Sequence, residues 1–472
     1  MSAAALMVAL DSLVVATALT TIQRDLHASL ETLEWTVNAF SLSFAVLLMT
    51  GSALGDRYGR RRVLLVGIGL FTASSAVCAL APGVGVLIAA RTAQGAGAAL
   101  VMPVAMALLT AAFPPERRGW ALGIFSALTG LAVVCGPIVG GVVTEGLAWP
   151  WIFWLNVPIG LAVIPLMLAR IEESYGPRRR LDVGGLLLAT GACLGLVWGL
   201  IRANTVGWSS GEVISTLSGG AVLLFAFVAW ELRTAESMLP MRYFRSAAFA
   251  VGNAAAFLLY ATLISSVFFL AQYLQVGLGF SPLGAGLRLS PWTIAVLIVA
   301  PVSGRFSDRV GPRRLLTGGL LLQAAGLAWV ALNAAAGRGY GASVAALVIA
   351  GCGVTMAMPA AQSAVLGAVP PSDLGKASGI FNTLRQLGGV FGVAVLAAVF
   401  AAHGSYVSAA AFTDGLAPAI GVAAGMSLVG AMIGLATPGS NVARTGSGPA
   451  APTPVTAESS AQFTSVGAHD DV

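Results

Sequence analysis

The sequence predicts an all-α integral membrane protein with fourteen transmembrane helices, in which two six-helix halves flank two additional helices. Its composition, its long apolar segments and an internal repeat lead to this fold class. Of the 472 residues, 57% are hydrophobic and 9% are charged, whereas soluble domains have about 25% charged residues. The composition therefore excludes a water-soluble globular protein, and most of the chain is expected to lie in lipid.

Fourteen apolar segments are long enough to cross a bilayer, which requires about 20 residues per helix. The segments comprise residues 2–22, 33–54, 62–81, 84–113, 120–144, 152–171, 183–201, 213–232, 247–276, 283–304, 315–335, 342–369, 377–402 and 416–437. If the N-terminus is cytoplasmic, 19 of the 25 Lys and Arg residues lie in cytoplasmic connections or in the tail. Because this asymmetry follows the positive-inside rule, both termini are predicted to be cytoplasmic and no nucleic-acid partner is expected.

A motif that follows the second apolar segment recurs after the tenth segment. The first copy comprises Asp56, Arg57, Gly59, Arg60 and Arg61, and the second comprises Asp308, Arg309, Gly311 and Arg313. Further matches in the same order, such as Met102-Pro103 with Met358-Pro359, extend the repeat. The repeat predicts a six-helix half at 1–171, two inserted helices at 172–244, a second half at 245–437 and a disordered tail at 438–472. Transporters are commonly built from such halves, with the substrate held where the halves meet.

Two charged residues lie inside apolar segments, where a charge is costly. Asp11 lies halfway along the first segment, at a cost of roughly 3 kcal/mol on lenient insertion scales. It is interpreted either as packing glue beside a polar neighbour or, by preference, as a carboxylate in a watery cavity that binds and releases a proton. Arg91, in the fourth segment, needs an acidic partner, carbonyl groups or water, so structural pairing and a direct coupling role both stay open.

Two glycine-containing motifs combine close helix packing with charge or with a bend. Gly51 and Gly55 let a neighbouring helix approach the second segment, next to the charges around Asp56. Such a salt-bridge cluster can lock one conformation, and a tight turn with solvated charges is the alternative. The fifth segment contains a group of bend-forming residues, namely Gly136, Pro137, Gly140 and Gly141. They predict a bent helix that is either only structural or lines the cavity.

Several chemistries lack their usual sequence signals. The chain contains no HExxH, GxxxxGK[ST] or GxGxxG motif, so zinc hydrolysis, P-loop ATP use and dinucleotide binding are not indicated. The four cysteines and three histidines have no ligand spacing, and neither a metal nor a cofactor is expected. No paired catalytic acids or Ser/His arrangement occurs at membrane depth, so the chain is not expected to be an enzyme.

In their order along the chain, these motifs resemble the major facilitator superfamily, specifically its fourteen-helix drug:proton antiporters of the EmrB/QacA type. The resemblance covers residues 1–437 and includes the stretch Trp149-Pro150-Trp151-Ile152-Phe153-Trp154-Leu155-Asn156-Val157-Pro158, in which Pro150 replaces the family's usual arginine. It implies proton-driven export of hydrophobic or amphipathic compounds. Asp11 would be the proton site, Arg91 would assist proton movement, and the Asp56 cluster would gate the cytoplasmic side. In the family, the motif at Gly136 and Pro137 is associated with exchange.

The resemblance also implies a substrate cavity lined by aromatic and polar side chains. The candidates are Trp35, Asn38, Phe40, Gln94, Asn253, Tyr260, Gln272, Asn382 and Arg385. Because the last six segments contain no Asp or Glu, neutral, zwitterionic or monocationic substrates are predicted rather than dications. The expected partners are a drug-like small molecule, protons and the lipid bilayer. The protein is expected to act as a monomer in the bacterial plasma membrane, with the proton gradient as its energy source and no cofactor.

Other functions stay open on the sequence alone. A proton-coupled nutrient or metabolite symporter has the same fold and would use Asp11 in the same way. A membrane-embedded enzyme and a non-transporting sensor of the same architecture are less favoured.

Overall fold

The computed structural model describes residues 1–113, 115–176, 182–234, 239–295, 298–299, 310–335, 337, 339–370 and 373–437. Within these ranges the chain is helical apart from its connections, and it contains no strand. The prediction of an all-α protein is therefore confirmed for the part of the chain that the structure describes.

The N-terminal part of the chain forms seven helices before residue 171. They are α1 (Ser2–Asp25), α2 (Leu30–Tyr58), α3 (Arg60–Ala79), α4 (Val84–Ala112), α5 (Pro115–Gly146), α6 (Trp151–Trp154) and α7 (Asn156–Arg170). The side chain of Ser29 accepts a hydrogen bond from the Thr32 amide and so caps α2. Gly59, with φ at +107°, separates α2 from α3, because this left-handed region favours glycine.

The remaining helices follow in two groups. The first is a hairpin of α8 (Val183–Val206) and α9 (Gly211–Arg233). The second begins with a short 3-10 helix, Met241–Arg245, and continues with α10 (Ala247–Gln272), a π-helical turn (Tyr273–Gly277), α11 (Pro282–Arg288), α12 (Pro312–Ala335), α13 (Tyr340–Leu366), α14 (Leu374–His403) and α15 (Ala409–Leu435).

Twelve helical stretches of the described chain are long and apolar enough to cross a membrane. Each coincides with one of the apolar segments found in the sequence, so a multi-spanning membrane protein is confirmed. Of the other two predicted spans, 120–144 lies within the 32-residue helix α5. The span at 283–304 is described only up to residue 295 and at 298–299. The count of fourteen is therefore not confirmed.

The hairpin of α8 and α9 lies beside a seam between early and late helices. Buried Cys193 and Val197 of α8 share one apolar cluster with Val46 of α2 and Val390 of α14. Only 17% of an 18-residue apolar stretch of α9 is buried within the protein, which is the exposure expected of a lipid-facing helix. The hairpin thus covers the outer side of the contact between α2 and α14.

Candidate functional site

The centre of the site is a buried ion pair between α1 and α4. Nη1 of Arg91 donates to Oδ2 of Asp11 at 2.5 Å, and each side chain is only 1% exposed. Removing either charge from water costs several kcal/mol, and the cost is offset only when the opposite charge and further hydrogen bonds are present. Asp11 therefore faces the protein interior and not the lipid chains, and its partner is the arginine that the sequence also singled out.

Two amide side chains hold the other oxygen of the carboxylate. Oδ1 of Asp11 accepts hydrogen bonds from Nε2 of Gln94 at 2.9 Å and from Nδ2 of Asn156 at 2.7 Å. The same two amides donate to Oγ of Ser75, at 2.8 Å and 3.4 Å. Ser75 in turn donates to the Phe71 carbonyl at 2.8 Å. The carboxylate is thus fixed by side chains from α3, α4 and α7.

Arg91 is held in place by further contacts besides the acid. Its Nε donates to the Thr36 carbonyl of α2 at 3.1 Å, and its Nη1 also donates to Oε1 of Gln94 at 2.7 Å. The guanidinium carbon lies 4.2 Å from the centre of the Phe40 ring and 5.8 Å from that of Phe153. These cation–π contacts and the charge-assisted hydrogen bonds fix the planar group in one orientation.

Local sequence explains how the helices bring these side chains together. Arg91 and Gln94 are three residues apart on α4, so they lie on the same face of the helix. Asn156 is the first residue of α7, directly after the single turn of α6. Gly160, one turn further along α7, lies directly against Thr72 of α3. Without a Cβ at this position α7 can lie close to α3, which brings Asn156 to Ser75.

Two members of this site were not predicted. Asn156 belongs to the tryptophan-rich stretch that supports the family resemblance. An amide side chain within an apolar stretch is the sequence feature that could have identified it. Ser75 gave no signal, because serine is common in membrane helices and its importance depends on its position opposite Asp11.

The motif around Asp56, which we call the gate motif, forms a charged corner between α2 and α3. Oδ1 of Asp56 accepts hydrogen bonds from Nε and Nη2 of Arg60 at 3.0 Å and 2.8 Å. The carboxylate of Glu173, in the connection after α7, accepts from the backbone amides of Arg61 at 2.8 Å and Arg62 at 3.2 Å. It therefore caps the first turn of α3, where a negative charge is favourable. Glu173 was not predicted.

The connection after α7 holds the gate motif at several points. The Arg60 amide donates to the Ser174 carbonyl at 2.9 Å, and the Gly176 amide donates to the Asp56 carbonyl at 3.1 Å. A Cβ on Gly59 would lie 2.7 Å from the Glu173 carboxyl carbon. Residues 171–176 thus form a strap across the corner, and the strap leaves no room for a side chain at Gly59.

The two glycines before the first repeat copy and the remaining residues of both copies have different surroundings. Gly51 and Gly55 lie against α4, and a Cβ on Gly55 would be 2.8 Å from Cγ2 of Val104. Arg57 is exposed and lies 5.3 Å from the centre of the Tyr58 ring. In the second copy, Asp308 and Arg309 are outside the described residues. Gly311 has a positive φ of 81°, and Arg313 is exposed near the start of α12.

The residues Gly136, Pro137, Gly140 and Gly141, which we call the antiporter motif, connect three helices. A Cβ on Gly136 would lie 2.8 Å from Cβ of Leu13, and Gly140 lies against Thr17, so one face of α5 packs on α1 just after Asp11. A Cβ on Gly141 would lie 2.6 Å from the Pro282 carbonyl, and Gly286 lies against the Pro137 carbonyl. The motif is therefore the place where α5 touches both α1 and α11.

The predicted cavity residues lie in different surroundings. Phe40 and Gln94 belong to the Asp11 site. The Arg385 guanidinium carbon lies 4.9 Å from the centre of the Tyr260 ring. The ring centres of Trp35 and Trp198 lie 5.6 Å apart. The side chains of Asn253 and Asn382 donate to carbonyls four residues earlier, and Gln272 accepts a hydrogen bond from the Tyr406 hydroxyl. Neither amide atom of Asn38 has a hydrogen-bond partner in the described chain.

Comparison with known proteins agrees with this fold. The model of the Major Facilitator Superfamily matches residues 1–393 and 252–463. The chain belongs to this superfamily. As a member of this transporter superfamily, the chain is not an enzyme.

Several named members of the superfamily are about one-third identical to this chain. The tetracenomycin C resistance and export protein of Streptomyces glaucescens is 36% identical over 400 residues, which are 84% of this chain and 74% of that protein. The multidrug resistance protein Stp of Mycobacterium tuberculosis is 36% identical, with the same coverage. The methylenomycin A resistance protein of Streptomyces coelicolor is 35% identical, over 85% of this chain and 86% of that protein. The predicted relationship to the superfamily's drug-efflux proteins is thereby confirmed, whereas the assignment to its fourteen-helix antiporters stays a prediction.

Solved structures with the same fold are more distant in sequence. A crystal structure of a POT family transporter in complex with a thioalcohol-conjugated peptide has a TM-score of 0.69 at 16% identity and covers 91% of this chain and 94% of that one. A bacterial homologue of the human lysosomal transporter Spinster, in an inward-facing and unoccupied conformation, has a TM-score of 0.66 at 15% identity and covers 94% of this chain and 95% of that one. At this identity the likeness extends to the fold alone.

Proposed function

We propose that this major facilitator protein is a proton-coupled antiporter that exports drug-like, hydrophobic or amphipathic small molecules. The proposal is supported first by relatives that are named for antibiotic resistance, multidrug resistance or export. Its mechanism is supported by one observation above all, the buried pair of Asp11 and Arg91. An ionisable pair at this depth is costly, and such residues in membrane helices typically serve ion or proton pathways.

The pair gives a physical route for coupling. A proton that reaches Asp11 from outside converts the carboxylate to a neutral acid, and the positive charge of Arg91 then loses its counter-charge. A buried guanidinium without its anion is unfavourable, so the contact between α1 and α4 weakens. Release of the proton to the cytoplasm restores the pair. One proton moving down a potential of 100 mV supplies about 2.3 kcal/mol for each cycle.

The antiporter motif would transmit this change to the other half of the protein. The segment of α1 directly after Asp11 packs on Gly136 and Gly140 of α5, and Gly141 of the same helix packs on α11. Because these contacts are too close for a side chain, a shift of α1 would be passed on to α5 and to its contact with α11. Packed interfaces of this kind switch between discrete arrangements and do not deform continuously.

Both halves and both termini have a defined position in the membrane under this function. The chain would cross the bacterial plasma membrane fourteen times, with halves at 1–171 and 245–437 around the hairpin in 172–244, and with both termini and the tail at 438–472 in the cytoplasm. The gate motif and its strap would then lie at the cytoplasmic end, where breaking the Glu173 contacts would accompany opening. The protein would act as a monomer, with no bound cofactor.

Export and coupling are tested in a pump-deficient bacterial host. Drug susceptibility and dye accumulation are compared for the wild type and Asp11→Asn, with Asp414→Asn as a matched control, because Asp414 is exposed. The proposal requires resistance and low dye accumulation for the wild type and the control, and their loss for Asp11→Asn at equal abundance in the membrane. Unchanged export by Asp11→Asn would reject Asp11 as the coupling residue, and no export by the wild type would reject the function itself.

A further inference from the structure

Arg385 lies deep inside a membrane-spanning helix, and the mechanism above does not use it. It is the twelfth residue of α14, which places it about 16 Å along the axis from the start of that helix. This depth is near the middle of a hydrocarbon core that is about 30 Å thick. A guanidinium keeps its charge at such a depth and needs acceptors around it.

The two arginines at membrane depth, Arg91 and Arg385, differ in how many of their donors have an acceptor. Arg91 donates to a carboxylate, an amide oxygen and a backbone carbonyl. In the described part of the chain, the only polar contact of Arg385 runs from Nη1 to the Tyr260 hydroxyl at 3.5 Å, and its Nε is completely buried without an acceptor. Because a guanidinium has five N–H donors, most donors of Arg385 have no acceptor among these residues.

The charge of Arg385 has no acidic counterpart at membrane depth in its own half of the protein. The last six apolar segments contain no Asp or Glu, and none of the ion pairs between described residues includes Arg385. At the spacing that relates Met102 to Met358, Arg385 corresponds to Thr129, whose hydroxyl donates to the Phe125 carbonyl of its own helix. The charge is therefore specific to the second half and is not a part of the repeated scaffold.

Two glycines of α14 hold Arg385 against α10. Gly388 and Gly392, three and seven residues after Arg385, lie directly against backbone carbonyls of α10. Residues at these spacings share one face of a helix, so Arg385 lies on the α10 side of α14. Its guanidinium carbon lies 4.9 Å from the centre of the Tyr260 ring, and Tyr260 is only 7% exposed. The charged group is thus turned toward the protein interior.

The helix that carries Arg385 also contacts the first half of the protein. Val390 of α14 shares an apolar cluster with Val46 of α2. Arg385 therefore lies near the boundary between the halves, where transporters built from two halves hold their substrate. Phe257 of α10 and Phe391 of α14, whose ring centres are 6.0 Å apart, supply apolar surface between the same two helices.

The Tyr260 hydroxyl is a second donor beside the guanidinium. Its oxygen accepts the contact from Nη1 of Arg385, and its own hydrogen has no acceptor among the residues that the structure describes. Two neighbouring donors that both lack an acceptor are suited to an anionic oxygen, because charge-assisted hydrogen bonds are the strong ones. The planar fork of an arginine can bind a carboxylate through two parallel hydrogen bonds.

We infer that Arg385 and Tyr260 bind the anionic group of an exported organic acid. The inference rests on the proposed export function and names a substrate class for it, namely amphipathic compounds with one carboxylate. Of the substrates predicted from the sequence, zwitterions have such a group, whereas neutral compounds and monocations do not. The rings of Phe257 and Phe391 would contact the apolar part of the molecule. Arg385 is then a specificity residue, distinct from the proton site at Asp11.

A matched pair of probes tests binding to the purified full-length protein without any proton gradient. Dansyl-phenylalanine is a monoanion at neutral pH, and its methyl ester has the same aromatic body without the charge. The Kd of each probe is measured by fluorescence titration for the wild type, Arg385→Gln, Arg385→Lys and Arg233→Gln. Arg233 is exposed at the end of α9 and serves as the control.

The expected result is a loss of affinity that is confined to the acid. The wild type should bind the acid more tightly than the ester. Arg385→Gln should raise the Kd of the acid by about tenfold or more and that of the ester by less than about twofold. Arg385→Lys keeps a charge without the planar fork and should raise the Kd of the acid less, and Arg233→Gln should change neither Kd. The inference is overturned if the wild type binds the ester at least as tightly as the acid. It is also overturned if Arg385→Gln raises the Kd of the acid no more than that of the ester.

Export assays separate this inference from the proposed function. Nile red, an uncharged dye, is loaded into a pump-deficient host, and uptake of the acid is measured in everted membrane vesicles of the same host. If the wild type transports neither compound, the proposed function fails, and if it exports Nile red without binding the acid, the inference alone is refuted. Arg385→Gln should export Nile red as the wild type does, and loss of that export at equal abundance would reject a role confined to the anion. Should Arg385→Gln fail to accumulate, Arg385→Lys must still weaken binding of the acid more than binding of the ester.

Discussion

Replacing Arg91 by methionine leaves the Asp11 carboxylate buried without its cation. The substitution removes hydrogen bonds to Asp11, Gln94 and the Thr36 carbonyl, together with the cation–π contact on Phe40. Breaking a buried pair on one side costs about 3–5 kcal/mol, mainly because one charge remains uncompensated. Asp11→Leu leaves the Arg91 guanidinium buried without its anion, so we expect the free energy of unfolding to fall by the same amount.

The double variant Asp11→Leu/Arg91→Met removes both charges. Replacing a buried pair by apolar side chains is often neutral or stabilising, so the double variant should be less destabilised than either single variant. The decreases in unfolding free energy of the two single variants, added together, should exceed the decrease in the double variant by about 3 kcal/mol or more. Export should nevertheless be absent in all three variants, because the proton site is either lost or unable to switch.

The free energy of unfolding is measured by titrating the purified protein in mixed micelles with sodium dodecyl sulfate. The two single variants, the double variant and the wild type form a double-mutant cycle. If the decreases in unfolding free energy of the two single variants sum to that of the double variant within about 0.5 kcal/mol, the two side chains do not interact. The ion pair on which the mechanism depends would then be refuted. A double variant that recovers both stability and export would show that the pair serves packing only.

Three further predictions concern residues around the pair, the strap and the motif of α5. Asn156→Leu removes a donor to the Asp11 carboxylate, and the initial rate of proton-driven dye efflux should fall by about tenfold or more. The control is Ser74→Ala, at the position before Ser75 on α3, and it should leave the rate unchanged. Glu173→Gln weakens the cap on α3, so proteolysis within 171–176 should become faster in membranes whose cytoplasmic face is accessible; equal cleavage of variant and wild type would contradict the strap. Gly141→Val forces a side chain against the Pro282 carbonyl and should abolish efflux at normal abundance, while Gly146→Val, where a Cβ meets open space, should be tolerated.

The sequence was most informative about the membrane spans, because bilayer thickness and the cost of exposed backbone in lipid determine helix length almost alone. Charges inside apolar runs were equally visible, and Asp11 and Arg91 stood out for that reason. That they contact each other could not be read from the sequence, since 80 positions separate them and their meeting depends on how α1 packs on α4. The sequence alone therefore leaves structural pairing of Arg91 open.

Other members of the site depend on tertiary geometry. Ser75 and Asn156 are uncharged, so burying them in a span costs less free energy than burying a charge. Their sequence signal is therefore weaker than that of Asp11 or Arg91. Glu173 looked like an ordinary charge after a span, and its importance follows from its position at the N-terminus of α3.

Substrate-induced proton flux tests the central claim most directly. Purified protein is reconstituted into liposomes with an imposed pH gradient and a trapped pH-sensitive dye, and an exported compound is then added. The account predicts that the wild type dissipates the gradient on addition of the compound and that Asp11→Asn binds the compound without moving protons. Proton flux through Asp11→Asn at the wild-type rate would contradict the assignment of Asp11 as the proton site.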